Sequence, residues 1–347
     1  MENWLASTKV RWWLFVVERK RKRGRHAEAL EFLRKVITAQ PNRALAILQA
    51  GICSARLGRY EEALNFYERA LQVAPHYGDA HAYLSHAYHK LERDQEAFDS
   101  INRAIRIKPS LKDDPYWLFL LGLTSGRAGR WEQSLTAFKK LTEYNDKHAS
   151  AWHGLGWAGA ALNLESEALG AYQHAVSLAP DNVAAHNELG FLYASLERHT
   201  DGLEQFRLSY EAAENAVRAE PNSASAFHRL GDASQGVGRL SEAILAYEKS
   251  VELDPQDFFG HAKLGWCYSQ SGRNQDALAT FLNAAKLNSN DADLHYFLGE
   301  TYLKLGNREG AELEYEILRD IHQHLAEDLH KLLERNARDD REPLTNS

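Results

Sequence analysis

Residues Ala149–Asn182 read ASAWHGLGWAGAALNLESEALGAYQHAVSLAPDN, and this 34-residue stretch decides the fold. Trp152, Leu155, Gly156 and Gly159 stand at positions 4, 7, 8 and 11 of it, one stripe at helical spacing. Ala168 and Tyr172, at positions 20 and 24, lie one turn apart on the face of a second helix. Pro180, at position 32, cannot continue that helix and stops it. Small residues at positions 8 and 20 let the two helices approach closely, and the aromatic ring at 24 fills the space beside them. The stretch predicts a helix–turn–helix hairpin.

The same skeleton returns as His81, Leu84, Ser85, Tyr88, Ala97 and Pro109, and again as His261, Leu264, Gly265, Tyr268, Ala277 and Phe281. Counted from the start of each first helix, repeats begin at residues 10, 44, 78, 115, 149, 183, 224, 258 and 292. A large residue, Leu-Gly, Tyr, then Ala-x3-aromatic and Pro at this period resembles the tetratricopeptide repeat. The resemblance covers nearly the whole chain. It implies an all-α, right-handed superhelical solenoid of about nine units plus a C-terminal capping helix, each unit packing only on its neighbours.

That reading divides the chain into a basic segment with the first repeat (1–43), repeats 2–3 (44–111) and repeats 4–5 (115–182). Repeat 6 follows (183–223), then repeats 7–9 (224–325), a capping helix (326–336) and a polar, disordered tail (337–347). Two insertions break the period. Lys112 to Asp114 separate repeats 3 and 4, with Asp114-Pro115 offering an N-cap and an N1 proline. Seven extra residues around Ser209–Asn215 predict a lengthened, projecting second helix in repeat 6, with Tyr210 on or near it.

Composition excludes several classes. At 44% apolar and 26% charged, the chain is ordinary for a water-facing protein. Its most apolar run, Trp12 to Val17, is far short of a membrane span, and the basic residues follow it instead of preceding it as in a secretory signal. Cys53 and Cys267 share one interior register position in different repeats, too far apart in sequence to suggest a bridge. They read as small core residues of a cytoplasmic protein. No phosphate loop, nucleophile elbow or carboxylate pair appears, so we expect no enzyme and no cofactor. His81, His86 and His89 beside Asp79 are the best metal candidates, but His186, His261 and His295 repeat the position of His81, which favours a packing role and no metal.

In the family this chain resembles, positions 2, 5, 9, 12 and 13 of the first helix line an inner groove. The middle and late repeats place Phe119, His153, Trp157, Phe191, Phe259, Trp266 and Tyr296 there; the early ones place Lys22, Arg56, Lys90 and Arg127 at position 13. The resemblance therefore implies a scaffold binding a protein or peptide, acidic toward the early repeats and apolar toward the late ones. Two other readings stay open. Aromatics at position 9 can pack between neighbouring helices, and a cation in a helix's last turn is favoured by the helix dipole whatever binds. The residue sets of chaperone carboxylate clamps, and the asparagine ladder of a sugar-transferring enzyme's repeat domain, are missing.

Charge is unevenly spread. Residues 1–43 hold eleven lysines and arginines against four glutamates, so they carry +7 and the remainder −14 against a total of −7. Trp12 and Trp13 beside Arg19 to Arg25 resemble an interfacial membrane helix, which makes a peripheral membrane assembly factor the alternative function. Asp79, Asp232, Asp293 and Glu300 in the groove argue against nucleic acid. Self-association through the first or last repeat is open, since exposed solenoid ends can stack.

Overall fold

The structure, a computed structural model, describes residues 2–339, with side chains described from Lys9 to Asn336. Among the described residues it is built of helices with no strand. The chain divides into two compact units, Met1–Leu178 and Ala179–Ser347.

The first unit holds five helix pairs: α1 (Glu2–Lys22) with α2 (His26–Ala39), α3 (Ala44–Arg56) with α4 (Tyr60–Val73), and α5 (Gly78–Lys90) with α6 (Asp94–Ile107). Then come α7 (Pro115–Arg127) with α8 (Trp131–Tyr144) and α9 (Ala149–Ala161) with α10 (Glu165–Leu178). The second unit holds α11 (Val183–Ser195) with α12 (His199–Ala219), α13 (Ala224–Gly236) with α14 (Leu240–Leu253), and α15 (Phe258–Gln270) with α16 (Asn274–Leu287). It ends with α17 (Ala292–Lys304), α18 (Arg308–Ile321) and a further helix, α19 (Gln323–Asp339). Within each unit a first helix packs on its own second helix and on the second helix of the preceding repeat. This is an all-α helical repeat solenoid.

Local chemistry sets each boundary. The turn inside every pair passes through one left-handed residue at position 15: Gly24, Gly58, Gly129, Gly238, Gly272 and Gly306, with Glu92, Asn163 and Glu197 in the other three. Glycine adopts that conformation without a Cβ clash, which explains its predominance there. Second helices end on a residue that has left helical geometry, with ψ between 73° and 88°, ahead of proline (Gln40, Ala74, Lys108, Glu220, Asp254), because proline disfavours helical geometry in its predecessor. Asp114 caps α7, accepting from the amides of Tyr116 and Trp117 after a 3-10 turn over Pro109–Asp113. Capping and proline together restart the helix after the insertion.

The core is the sum of these repeats. Tyr67, Phe138, Tyr172, Tyr247 and Phe281, all at position 24, are among the largest fully buried side chains. Burying each of the two phenylalanines contributes about 1.5–3 kcal/mol. Alanines at position 20 are completely covered. Position 4 has a second, polar duty. His81, His186 and His261 each donate Nε2–H to the carbonyl six residues earlier, on Pro75, Pro180 and Pro255, at 3.2, 3.1 and 3.2 Å. His295 does the same to Ser289 at 3.0 Å, and the Trp152 indole to Asp146 at 2.7 Å. An N–H at this register ties down the loop between repeats, so these histidines close loops.

The long second helix of repeat 6 differs from the projection expected. Phe206, Ser209 and Ala213 are buried on one face, because seven residues make two helical turns and keep the stripe in phase. The Ser209 hydroxyl donates to the Val183 carbonyl, and Tyr210 donates to Glu242 at 2.7 Å beneath the Arg239 guanidinium. The added turns are packed. At the C-terminus, α19 buries Ala326, Leu329 and Leu333 against α17 and α18. Of the tail expected over 337–347, α19 runs to Asp339 and residues 340–347 lie outside the described residues.

Candidate interaction surfaces

In the second unit, first helices α11, α13, α15 and α17 present a groove of about 490 Å³. Phe191, Phe259, Trp266 and Phe297 supply most of its apolar wall. Phe191 is 55% exposed, Phe259 42% and Trp266 36%. Their rings are held from behind: Phe191 on Phe206 (4.9 Å), Phe259 on Phe258 (5.1 Å) and Phe297 on Phe281 (5.9 Å). Phe191 and Phe259 are therefore rigid aromatics whose other side faces solvent, and Trp266 is exposed beside them. Lys263 on the same wall is neutralised by Asp232 at 2.9 Å, and Asp232 also accepts from the Tyr247 hydroxyl. Tyr296, by contrast, packs with α19 and belongs to the covered end of the array.

In the first unit the inner face is basic. A cavity of about 760 Å³ is lined by Arg21, Lys22, Arg43, Arg56, Gln49 and Tyr83, among others. Lys22 is paired with Glu18 at 2.9 Å, and Arg127 lies 3.6 Å from Asp94. Arg21, Arg56 and Lys90 have no carboxylate within ion-pair distance among the described residues. Burial, then Arg56 and Arg21, hold the His26 imidazole below its ordinary value, so both guanidiniums act on one spot. His86 and His89 are pushed down to about 4 by burial and by the cations beside them. Among the described residues the row at position 13 thus keeps two members without an ion-pair partner, Arg56 and Lys90, with Arg21 added from position 12 of the first repeat.

The central aromatics are mostly structural. Trp157 meets Trp131 edge-on at 4.8 Å and lies against Gly126, where a Cβ would collide with its ring. Phe119 packs on Phe138 and His148. His153 is enclosed beside Tyr172, its value pushed down to about 4 by burial, and its buried Nε2 has no hydrogen-bond partner among the described residues. Among the described residues, no three His, Cys, Asp or Glu side chains converge as metal ligands. Burial pushes the Cys267 thiol up to about 11 and raises that of Cys53, which makes both poor nucleophiles.

Five tetratricopeptide-repeat profiles match the sequence, over residues 54–122, 119–183, 182–256, 246–279 and 267–306. The chain belongs to the tetratricopeptide-repeat family. A search of curated proteins finds no significant relative. Among solved structures, a tetratricopeptide repeat protein from Parabacteroides merdae is 17% identical with a TM-score of 0.48, over 74% of this chain and 98% of that one. YrrB, described as a TPR protein with an unusual peptide-binding site, is 24% identical with a TM-score of 0.34, over 56% of this chain and 98% of its own.

A tetratricopeptide array is a protein-interaction scaffold. Two groups of inner-face residues on this one escaped the sequence reading. Phe258, Leu294 and Phe297 line the apolar groove from positions 1, 3 and 6, and Arg21 with Tyr83 lines the basic cavity from positions 12 and 6. An aromatic at position 6 is the signal that could have found Tyr83 and Phe297, and Arg21 stands at position 12, one of the groove positions the resemblance implies. No helix among the described residues is long and apolar enough to cross a membrane.

Proposed function

We propose that this tetratricopeptide scaffold binds a partner polypeptide on the inner faces of its first helices. Apolar side chains of the partner seat in the groove of Phe191, Phe259 and Trp266. Acidic residues are taken by Arg21, Arg56 and Lys90 of the first unit. The observation that carries this reading is the exposure of Phe191, Phe259 and Trp266 around one groove, the first two buttressed from behind, while Trp157, at the register position of Phe191 and Trp266, packs on Trp131 and Gly126. Rigid aromatics bury large areas at little entropic cost, which is why they dominate interface energetics.

The membrane-docked alternative rests on Trp12, Trp13 and Arg19 to Arg25. Trp13 packs against the core and Lys20 is bound by Glu28, so less of that segment remains to meet a bilayer. The partner reading is tested by affinity capture with the full chain and with Phe259→Ala plus Trp266→Ala. Loss of two central anchors should weaken groove-bound partners by roughly 30-fold or more. Arg21→Glu plus Arg56→Glu should remove a separate, salt-sensitive set. An unchanged partner profile in both variants, with melting temperature intact, would overturn the reading.

A further inference from the structure

The two ends of the array carry complementary faces. In inner repeats, positions 3 and 10 of the first helix are covered by the preceding second helix: Ala46 and Cys53, Ala80 and Ala87, and Ala226 and Ala233 are wholly buried. In α1 these positions are Trp12 and Arg19. Trp12 is 57% exposed, with Phe32 of α2 meeting one edge of its ring at 5.9 Å, and Phe15, one turn along, is 61% exposed. Arg19 and Arg23 continue the stripe at helical spacing, and neither has a carboxylate partner among the described residues. This face is aromatic and cationic.

At the other end, α19 packs on α17 and α18 as the first helix of a further repeat would. An open slot of about 610 Å³ lies between α18 and α19, where that repeat's second helix would sit. Its floor includes Leu313, 67% exposed, with Leu333 and Tyr315. Its rim carries Glu309, Glu312, Glu316 and Glu334 against one guanidinium, Arg308. Glu309 is in no ion pair among the described residues, and the other three keep well-exposed side chains. This face is aliphatic and anionic.

We propose that the chain assembles head to tail with a second copy of itself, the Trp12–Phe15 face of one molecule entering the α18–α19 slot of the next. Arg19 and Arg23 then meet the glutamates of the rim, and Phe15 covers Leu313. The charge signs decide between occupants: an anionic lipid surface would satisfy only the first face, whereas a second copy satisfies both. Because the two faces differ, the interface is heterologous and each bound copy still offers a free end.

Sedimentation velocity on the full chain should show reversible, concentration-dependent association, weakened on the order of tenfold at high salt. Phe15→Glu and Leu313→Lys should each lose association by at least roughly tenfold, with melting temperatures unchanged. Mixed in equal amounts, the two variants should form a dimer and nothing larger, because each keeps one competent face. A wild-type chain that stays monomeric overturns the proposal. So does either variant associating like wild type, or a folded mixture that does not pair. Binding of phosphatidylserine vesicles through Phe15 without self-association would assign the face to a membrane and equally overturn it.

Discussion

Two of the helical glycines of repeat 5, Gly156 and Gly170, lie in opposite surroundings, and the same substitution should act on them with opposite sign. A Cβ added at Gly156 would lie 2.6 Å from Cδ1 and 2.7 Å from Cε1 of Tyr172. Tyr172 is only 1% exposed, so its ring has nowhere to retreat. At Gly170, in the exposed part of α10, an added Cβ would meet nothing within 4 Å. Alanine in place of glycine inside a helix gains about 1 kcal/mol, so Gly170→Ala should stabilise by roughly that amount. Gly156→Ala has the same gain but carries an overpacking cost of about 1–3 kcal/mol. The difference between the two variants removes the shared propensity and isolates the close approach. Repeat arrays open locally, so urea unfolding should be paired with native-state hydrogen exchange on amides of α9 and α10. Tyr172→Leu introduced beside Gly156→Ala should relieve the clash, with a coupling of about 1 kcal/mol. If Gly156→Ala is as stable as Gly170→Ala, the account of position 8 as the point of helix contact is wrong.

Stability should depend on pH in two directions. His86, His89 and His153 are pushed from the ordinary 6.5 down to about 4, chiefly by burial. The unfolded chain therefore takes up these protons first, and the stability they lend is full above pH 6.5 and lost as pH falls toward 4. His153→Leu should flatten the acid limb of a plot of melting temperature against pH; an unaltered limb would refute the assignment. His295 runs the other way, because Glu314 raises it: its contribution is full below 6.5 and lost as pH rises through the raised value. His295→Gln should accordingly lower the melting temperature more near about pH 6 than about pH 8. Asp114→Ala should cost about 1 kcal/mol in urea denaturation, whereas Asp114→Asn, which also caps, should cost much less. Equal losses in the two would remove capping as the cause.

Much of this architecture is readable along the chain because each repeat is fixed by contacts within itself and its neighbour. A small residue at Gly156 or Gly265 can face only the ring sixteen positions later, Tyr172 or Phe281, so spacing and size suffice to name the contact. Proline and a left-handed turn residue act on adjacent backbone and need no tertiary partner to be recognised. The loop-closing role of His81, His186, His261 and His295 was legible as a repeated position, but the carbonyl it serves was not, since six residues of loop must first be folded back.

The sequence by itself determined the helix pairs, their period and which side of each first helix faces inward. Only the tertiary structure decided which inward side chains remain available. Trp157 and Trp266 occupy the same position in their repeats. Gly126, at position 12 of the repeat before Trp157, leaves a hollow that the indole fills, while the equivalent residue before Trp266 is Gln235, and that indole stays in an open groove. Among the described residues Arg56 has no ion-pair partner and Arg127 does, because Asp94 of the preceding repeat lies beside Arg127. Availability is a property of two neighbouring repeats together, set by volume and charge across the seam, and no single position carries it.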